Sequence, residues 1–167
     1  MFRYLLALTI FLQGCLTSNE RDLAPIDITS DQKLAKLSPH TPLRRMAFGS
    51  CNDQDKDSAP WQVIAEQKPE LWLWLGDSVY TDKASPRTLS LAYHRQLKNP
   101  EYRHFIEKIP AIGIWDDHDY AHNNSGKEVP YKESSQKLFL DFLGEPKHSA
   151  RRHQKGIYTS YNIGHSR

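Results

Sequence analysis

The sequence has no surplus of charge of either sign. Lys and Arg number 22 against 20 Asp and Glu, a formal net charge of +2. Without a large single-sign field, a dedicated polybasic nucleic-acid or membrane-surface protein is excluded, and nothing in the composition indicates nucleic-acid binding. The balance leaves room for a local basic pocket that takes a phosphorylated ligand. The N-terminal apolar run, Leu5 to Leu12, falls far below the roughly 20 residues that a bilayer-spanning helix needs. There are only two cysteines, Cys15 and Cys51, and no internal repeat or low-complexity block. What is present is 167 residues, 38% hydrophobic and 25% charged, with a mean hydropathy of −0.68. That fits one ordinary globular domain rather than a membrane bundle, a disordered chain or two full domains. Aromatics at 11%, with four Trp among them, can furnish a packed core.

The N-terminus carries one cation, Arg3, then the apolar run, then Gln13-Gly14-Cys15. This is the layout of a secretory signal. Leu12-Gln13-Gly14-Cys15 resembles a bacterial lipobox, with Cys15 as the lipidated first residue of the mature chain; Gln13 departs from the usual small residue. A plain export signal cleaved elsewhere is the simpler alternative. The expectation is a signal over residues 1–14 and a polar tether over 15–43, with one short helical stretch near Asp31–Leu37. The protein is expected to be exported and lipid-anchored to a bacterial membrane, on its periplasmic or cell-surface face. Cys51 then has no disulfide partner, and a lone thiol in an oxidising compartment calls for burial or a metal.

From Arg44 onward, strands and helices alternate. Arg45–Phe48 predicts a strand. A helix follows from Ser58-Ala59-Pro60 to about Gln67, with Ser58 as N-cap. The continuous apolar run Leu71–Leu75 predicts a central strand buried on both faces. Ser85-Pro86 and Asn99-Pro100 each open a helix, and Ala111–Trp115 predicts another buried strand. A helix over Lys132–Leu143 is closed by Gly144, and Gly156–Ile163 predicts a last strand. The pattern is that of a layered α/β domain, in which ligands sit beyond the carboxyl ends of the strands.

Three of these strands end in polar clusters of metal-ligand type. Gly76-Asp77 follows the second strand, with Tyr80 three residues on. One carboxylate can bridge two hard cations, and a phenolate is a good ligand for trivalent iron; the simpler alternative is a turn-capping Asp and a core Tyr. Asp116-Asp117-His118-Asp119 follows the third strand, with Asn123-Asn124 just after. Three carboxylates this close repel unless cations or donors neutralise them. His118 beside Asp119 makes a natural acid/base or leaving-group pair. The simpler alternative is a solvated loop with Asp caps. Ser50-Cys51-Asn52 is weaker, since a lone Cys is more often a small buried residue. His94, His104, His148, His153 and His165 are scattered among charges and read as surface residues. Arg151-Arg152 reads as a solvated face that could contact a phosphate.

Taken in order, Phe48-Gly49-Ser50-Cys51-Asn52, Trp74-Leu75-Gly76-Asp77-Ser78-Val79-Tyr80 and Ile114-Trp115-Asp116-Asp117-His118-Asp119-Tyr120 with Asn123 resemble the PhoD-like metallophosphatases. These are secreted alkaline phosphatases and phosphodiesterases of the calcineurin-like metallophosphoesterase superfamily. The resemblance spans about residues 44–163. It implies a four-layer α/β/β/α sandwich with iron and calcium at the strand ends. It also implies Cys51, Asp77, Tyr80 and Asn123 as metal ligands, with Asp77 bridging. Asp117 sits where the superfamily places a metal-ligating amide, and His118 where it places its leaving-group histidine. The family's later Asp/His motifs and its second half-sandwich have no counterpart before Arg167, so residues 44–167 are expected to form the N-terminal part of a longer domain.

The expected function is metal-dependent hydrolysis of phosphate monoesters or diesters. The rival expectation is a non-catalytic lipoprotein that binds metal or a partner; a structural envelope protein without metal is a third.

Overall fold

The computed structural model describes residues 25–29, 34–40, 42–56 and 60–164. The signal, Cys15, Ser58 and His165 lie outside the described residues. Three strands form a parallel sheet in the order β1-β2-β3: β1 Met46–Gly49, β2 Leu71–Leu75 and β3 Ala111–Ile114. Helix α1, Trp61–Glu66, connects β1 to β2, and α2, Pro86–Lys98, with α3, Pro100–Ile106, connects β2 to β3. After β3 come the single turn α4, Asp117–Tyr120, then α5, Lys132–Phe142, and a 3-10 turn at Ala150–Arg152.

Local chemistry sets most of these boundaries. The Ser85 hydroxyl accepts from the Thr88 amide while the Thr88 hydroxyl accepts from the Ser85 amide, and Pro86 occupies the first turn. Asn99 ends α2 and caps α3, its side chain accepting from the Glu101 and Tyr102 amides. Past α5, Gly144 adopts φ +68°, the left-handed ending that glycine allows without strain.

The register puts Ala47, Gly49, Trp72, Trp74, Ala111 and Gly113 on one face. That face carries the aromatic core. Trp61 of α1 lies 5.3 Å from Trp72, 5.5 Å from Trp74 and 4.7 Å from Tyr102, ring centre to ring centre. The Trp74 indole donates to the Tyr102 hydroxyl at 3.2 Å, and Phe142 of α5 stacks on Tyr93. The opposite face carries Met46, Phe48, Leu71, Leu73, Leu75, Ile112 and Ile114. Here the expectation of strands covered on both sides is corrected: Phe48 is 63% exposed and Ile114 50%, with Met46 and Leu75 also exposed. The described residues cover the aromatic side and the other only in part, Leu71 there being buried.

Three further expectations change. Residues 156–163 form no strand. Their carbonyls are taken by side chains instead, Ile157 by Arg151 and Tyr158 by Gln154. Residues 34–38 are irregular rather than helical, and the Ala35 amide donates to the Ile106 carbonyl at the end of α3. The described part of the stretch read as a tether packs Ile28 into the core and bonds the Ile26 amide to Ser90. Arg151 is buried rather than solvated. At 4% exposure it pairs with Glu145 at 2.9 Å and bridges the Gly113 and Ile157 carbonyls.

That guanidinium joins the edge of β3 to the chain after the 3-10 turn. Arg151→Ala leaves Glu145 and two carbonyls without their partner, and is expected to cost about 3–5 kcal/mol in urea unfolding. Arg95 and Asp55 pair at 2.8 Å on the surface, and Arg95→Ala is expected to cost about 1 kcal/mol or less. Equal losses would contradict this reading of Arg151.

Candidate metal centre

The site is built where β1, β2 and β3 end. Leu75 is aligned with Ile114, so the loops after β2 and β3 leave the sheet side by side. Gly76 permits their approach: at φ +103°, a Cβ there would lie 2.6 Å from the Asp116 Cβ. The β1 and β2 loops are joined through backbone bonds, Cys51 N to Gly76 O at 3.4 Å and Asn52 N to Asp77 O at 2.9 Å. Cys51, Asp77 and Asn124 all hold positive φ, at 57°, 52° and 60°. Non-glycine residues in that region are uncommon and tend to gather at functional loops.

Side-chain amides brace the loops from beneath. Asn52 donates to the Ser78 carbonyl and to Gln96 Oε1. Gln54 grips the Tyr80 backbone in both directions, donating to its carbonyl and accepting from its amide, each at 2.9 Å. Asp119 is fully buried. One carboxylate oxygen accepts from the Ser78 amide at 2.9 Å and the Tyr93 hydroxyl at 3.2 Å, and the other accepts from the Asp116 amide at 3.0 Å. Burial pushes its carboxyl up to about 7, against the lowering effect of the Asp116 and Ser78 amides.

Of the expected site residues, Asp77, Asp117 and His118 come together, with one potential ligand atom from each within 4.8 Å of the others. Tyr80 belongs to the same place. Its hydroxyl donates to Asp77 Oδ2 at 2.8 Å, and its ring centre lies 4.4 Å from the His118 ring. Burial first, then the Cys51 and Asp77 side chains beside it, raises the Tyr80 hydroxyl far above the ordinary phenol value. It therefore stays protonated at neutral pH unless a cation takes its place as Asp77's partner. Cys51 is exposed, so burial does not account for its lone thiol. Asn123 is exposed on the turn after α4, whose Asn124 amide donates to Asp117 Oδ2. Asp116 does serve as the cap of α4, as the simpler alternative for this cluster has it, its side chain accepting from the Asp117 amide. The expectation of Asp119 as the acid/base partner of His118 is corrected: Asp119 faces the core, its oxygens taken by the Ser78 and Asp116 amides, and braces the loops. The bracing amides Asn52, Gln54 and Gln96 were not singled out as functional from sequence; the closeness of the first two to Cys51 was the available signal.

The donor set fits a cation. Two carboxylates and an imidazole are hard to borderline ligands for divalent and trivalent metals. Asp77 Oδ1 and His118 Nδ1 are both buried without a hydrogen-bond partner. An ion held by the two carboxylates would give Asp77 Oδ1 the partner that buried polar atoms ordinarily have.

Manganese or calcium added to chelator-treated protein is expected to raise Tm. Saturation a hundredfold above Kd is worth about 2.7 kcal/mol, or about 5–10 °C for a chain of this size. Asp77→Asn should abolish the rise, and Asp55→Asn, on the exposed rim, should leave it intact. A rise that survives Asp77→Asn would place the ion elsewhere.

No family model and no curated protein matches this chain. Among solved structures, the chain is similar to that of PhoD, with a TM-score of 0.50 and 18% sequence identity over 77% of this chain. It spans 30% of the length of the PhoD chain. At that identity the likeness is one of fold: the mixed α/β unit with its small parallel sheet is PhoD-like in fold.

Proposed function

We propose that this chain carries half of a metal-dependent phosphoric-ester hydrolase site. The observation that carries the reading is the meeting of Asp77, Asp117 and His118 at the strand ends with two buried orphan atoms among them. The PhoD-like fold and the three ordered sequence motifs support it. Asp77 and Asp117 would hold the cations, with Tyr80, Cys51 and Asn123 as further ligands, and iron and calcium are the metals the family resemblance points to. Such cations supply charge neutralisation for the phosphoryl oxygens.

The chain's own residues have separable tasks. Asp77, fixed by its positive φ and by the Tyr80 hydroxyl, presents its free oxygen into the centre. His118, held against the Tyr80 ring, would give its proton to the oxygen of the departing alcohol. Cys51 and Tyr80 flank Asp77 on the β1 side. The substrate is a phosphate monoester or diester. The open sheet face is where a second sheet would complete the four-layer sandwich, which further polypeptide would supply. Cys15 lipidation would hold the protein at the periplasmic or cell-surface face of a bacterial membrane.

In a protein that contains this chain and turns over phosphoesters, His118→Ala is expected to slow esters with poor leaving groups by about 10²-fold or more, the usual worth of a positioned proton donor. Nitrophenyl esters, which need little protonation, should lose much less. Equal losses on both would make His118 a metal ligand instead. Metal binding without any turnover would favour the non-catalytic lipoprotein.

A further inference from the structure

A groove of about 1430 Å³ runs along α5, outside the metal centre. Neither Asp77, Asp117 nor His118 lines it. Its walls carry six cations, Lys127, Lys132, Lys137, Lys147, Lys155 and Arg152. Against them stand three carboxylates, Asp27, Glu133 and Asp141. The lining carries a local surplus of three positive charges, more than the formal net charge of the whole chain.

The cancellation inside the groove is unequal. Arg152 and Asp141 pair at 2.8 Å and neutralise one another. That leaves five lysines facing two lining carboxylates, with Glu128 beside Lys132, whose ammonium also donates to the Lys127 carbonyl at 2.7 Å. Asp27 is held low by hydrogen bonds from Thr29 and, more weakly, by Lys147 and Lys137 acting across the groove. The five lysines are exposed. Each is a compact, mobile point charge that suits a phosphate-like oxygen cluster better than a planar carboxylate. Trp115 and Tyr120, their rings 5.3 Å apart, also line it. Low-dielectric walls in a concave site focus the field of the charges on its rim. The volume also exceeds the 300–1,000 Å³ that a compact small ligand ordinarily fills. A single phosphate would engage few of the lysines; a chain of them would engage most.

We propose that this groove is a second ligand site, one that binds a linear polyanion of phosphate-like groups independently of the metal centre. The site needs no metal, and its affinity falls with added salt as the lysine charges are screened.

The test is binding of long-chain inorganic polyphosphate to the full chain in the presence of chelator, followed by calorimetry. Lys137→Glu/Lys147→Glu is expected to weaken binding by about tenfold or more, the scale of two reversed exposed charges. The milder Lys137→Gln/Lys147→Gln should weaken it by about threefold, again on the scale of exposed charge pairs. Both lysines are exposed, and unchanged melting of the variants separates lost binding from lost fold. Asp77→Asn is expected to bind polyphosphate as the parent does, which also distinguishes failure of this site from failure of the metal centre. Unchanged affinity in the charge variants would overturn the proposal. So would loss of binding in Asp77→Asn, equal competition by orthophosphate at matched phosphate concentration, or a preference for single-stranded DNA of the same charge.

Discussion

Two loops leave neighbouring strand ends, and the buried carboxylate of Asp119 ties them together. It takes the Ser78 amide from the β2 loop, the Asp116 amide from the β3 loop and the Tyr93 hydroxyl from α2. Each of the two amides, left unbonded in a buried place, costs about 1–3 kcal/mol, so the carboxylate is costly to remove even though burying it is unfavourable in itself; the Tyr93 hydroxyl also has the Asp119 carbonyl, at 2.9 Å. Because Asp119 stands one residue after His118 and two after Asp117, fixing it fixes the turn from which those side chains reach the centre. Because Ser78 follows Asp77, the same bond fixes the other half. The positive φ of Asp77 and the close packing of Gly76 on Asp116 are tolerable only while that connection holds.

The sheet that carries these loops is asymmetric. Its aromatic side packs Trp72 and Trp74 against Trp61, Tyr102 and Phe105 in the buried core, which anchors the strands. The other side shows Met46, Phe48, Leu75 and Ile114 to solvent. Contiguous apolar surface of this kind marks a place where another layer or partner packs. The metal centre sits at the rim shared by both faces.

Much of this was legible from sequence, for local reasons. Leu71–Leu75 is a strand because an apolar run of that length, stopped by Gly76-Asp77, suits little else, and Ser85-Pro86 and Asn99-Pro100 carry their caps in plain view. The meeting of Asp77, Asp117 and His118 followed from clusters placed at strand ends. What was not legible depends on distant partners. A continuous apolar run does not reveal which of its residues stay bare; only the expected lack of a second half-sandwich pointed to exposed strand surface such as Leu75 and Ile114. The pattern of residues 156–163 suits a strand, but Arg151 and Gln154 claim carbonyls that a ladder would use. Arg151 beside Arg152 looks like surface until Glu145 and the Gly113 carbonyl are found around it. Within Asp116-Asp117-His118-Asp119, composition alone does not say which acid caps, which faces the centre and which turns inward. One turn of α4 separates the three.

The central claim is that Asp77 and Asp117 hold an ion beside His118. Crystals of the protein grown with manganese and measured at its absorption edge test it most directly. The account predicts an anomalous difference peak among the Asp77, Asp117 and His118 side chains, lost in Asp77→Asn crystals that keep the same fold. A well-ordered site without a peak, or a peak bound only by residues away from the β2 and β3 strand ends, would contradict it.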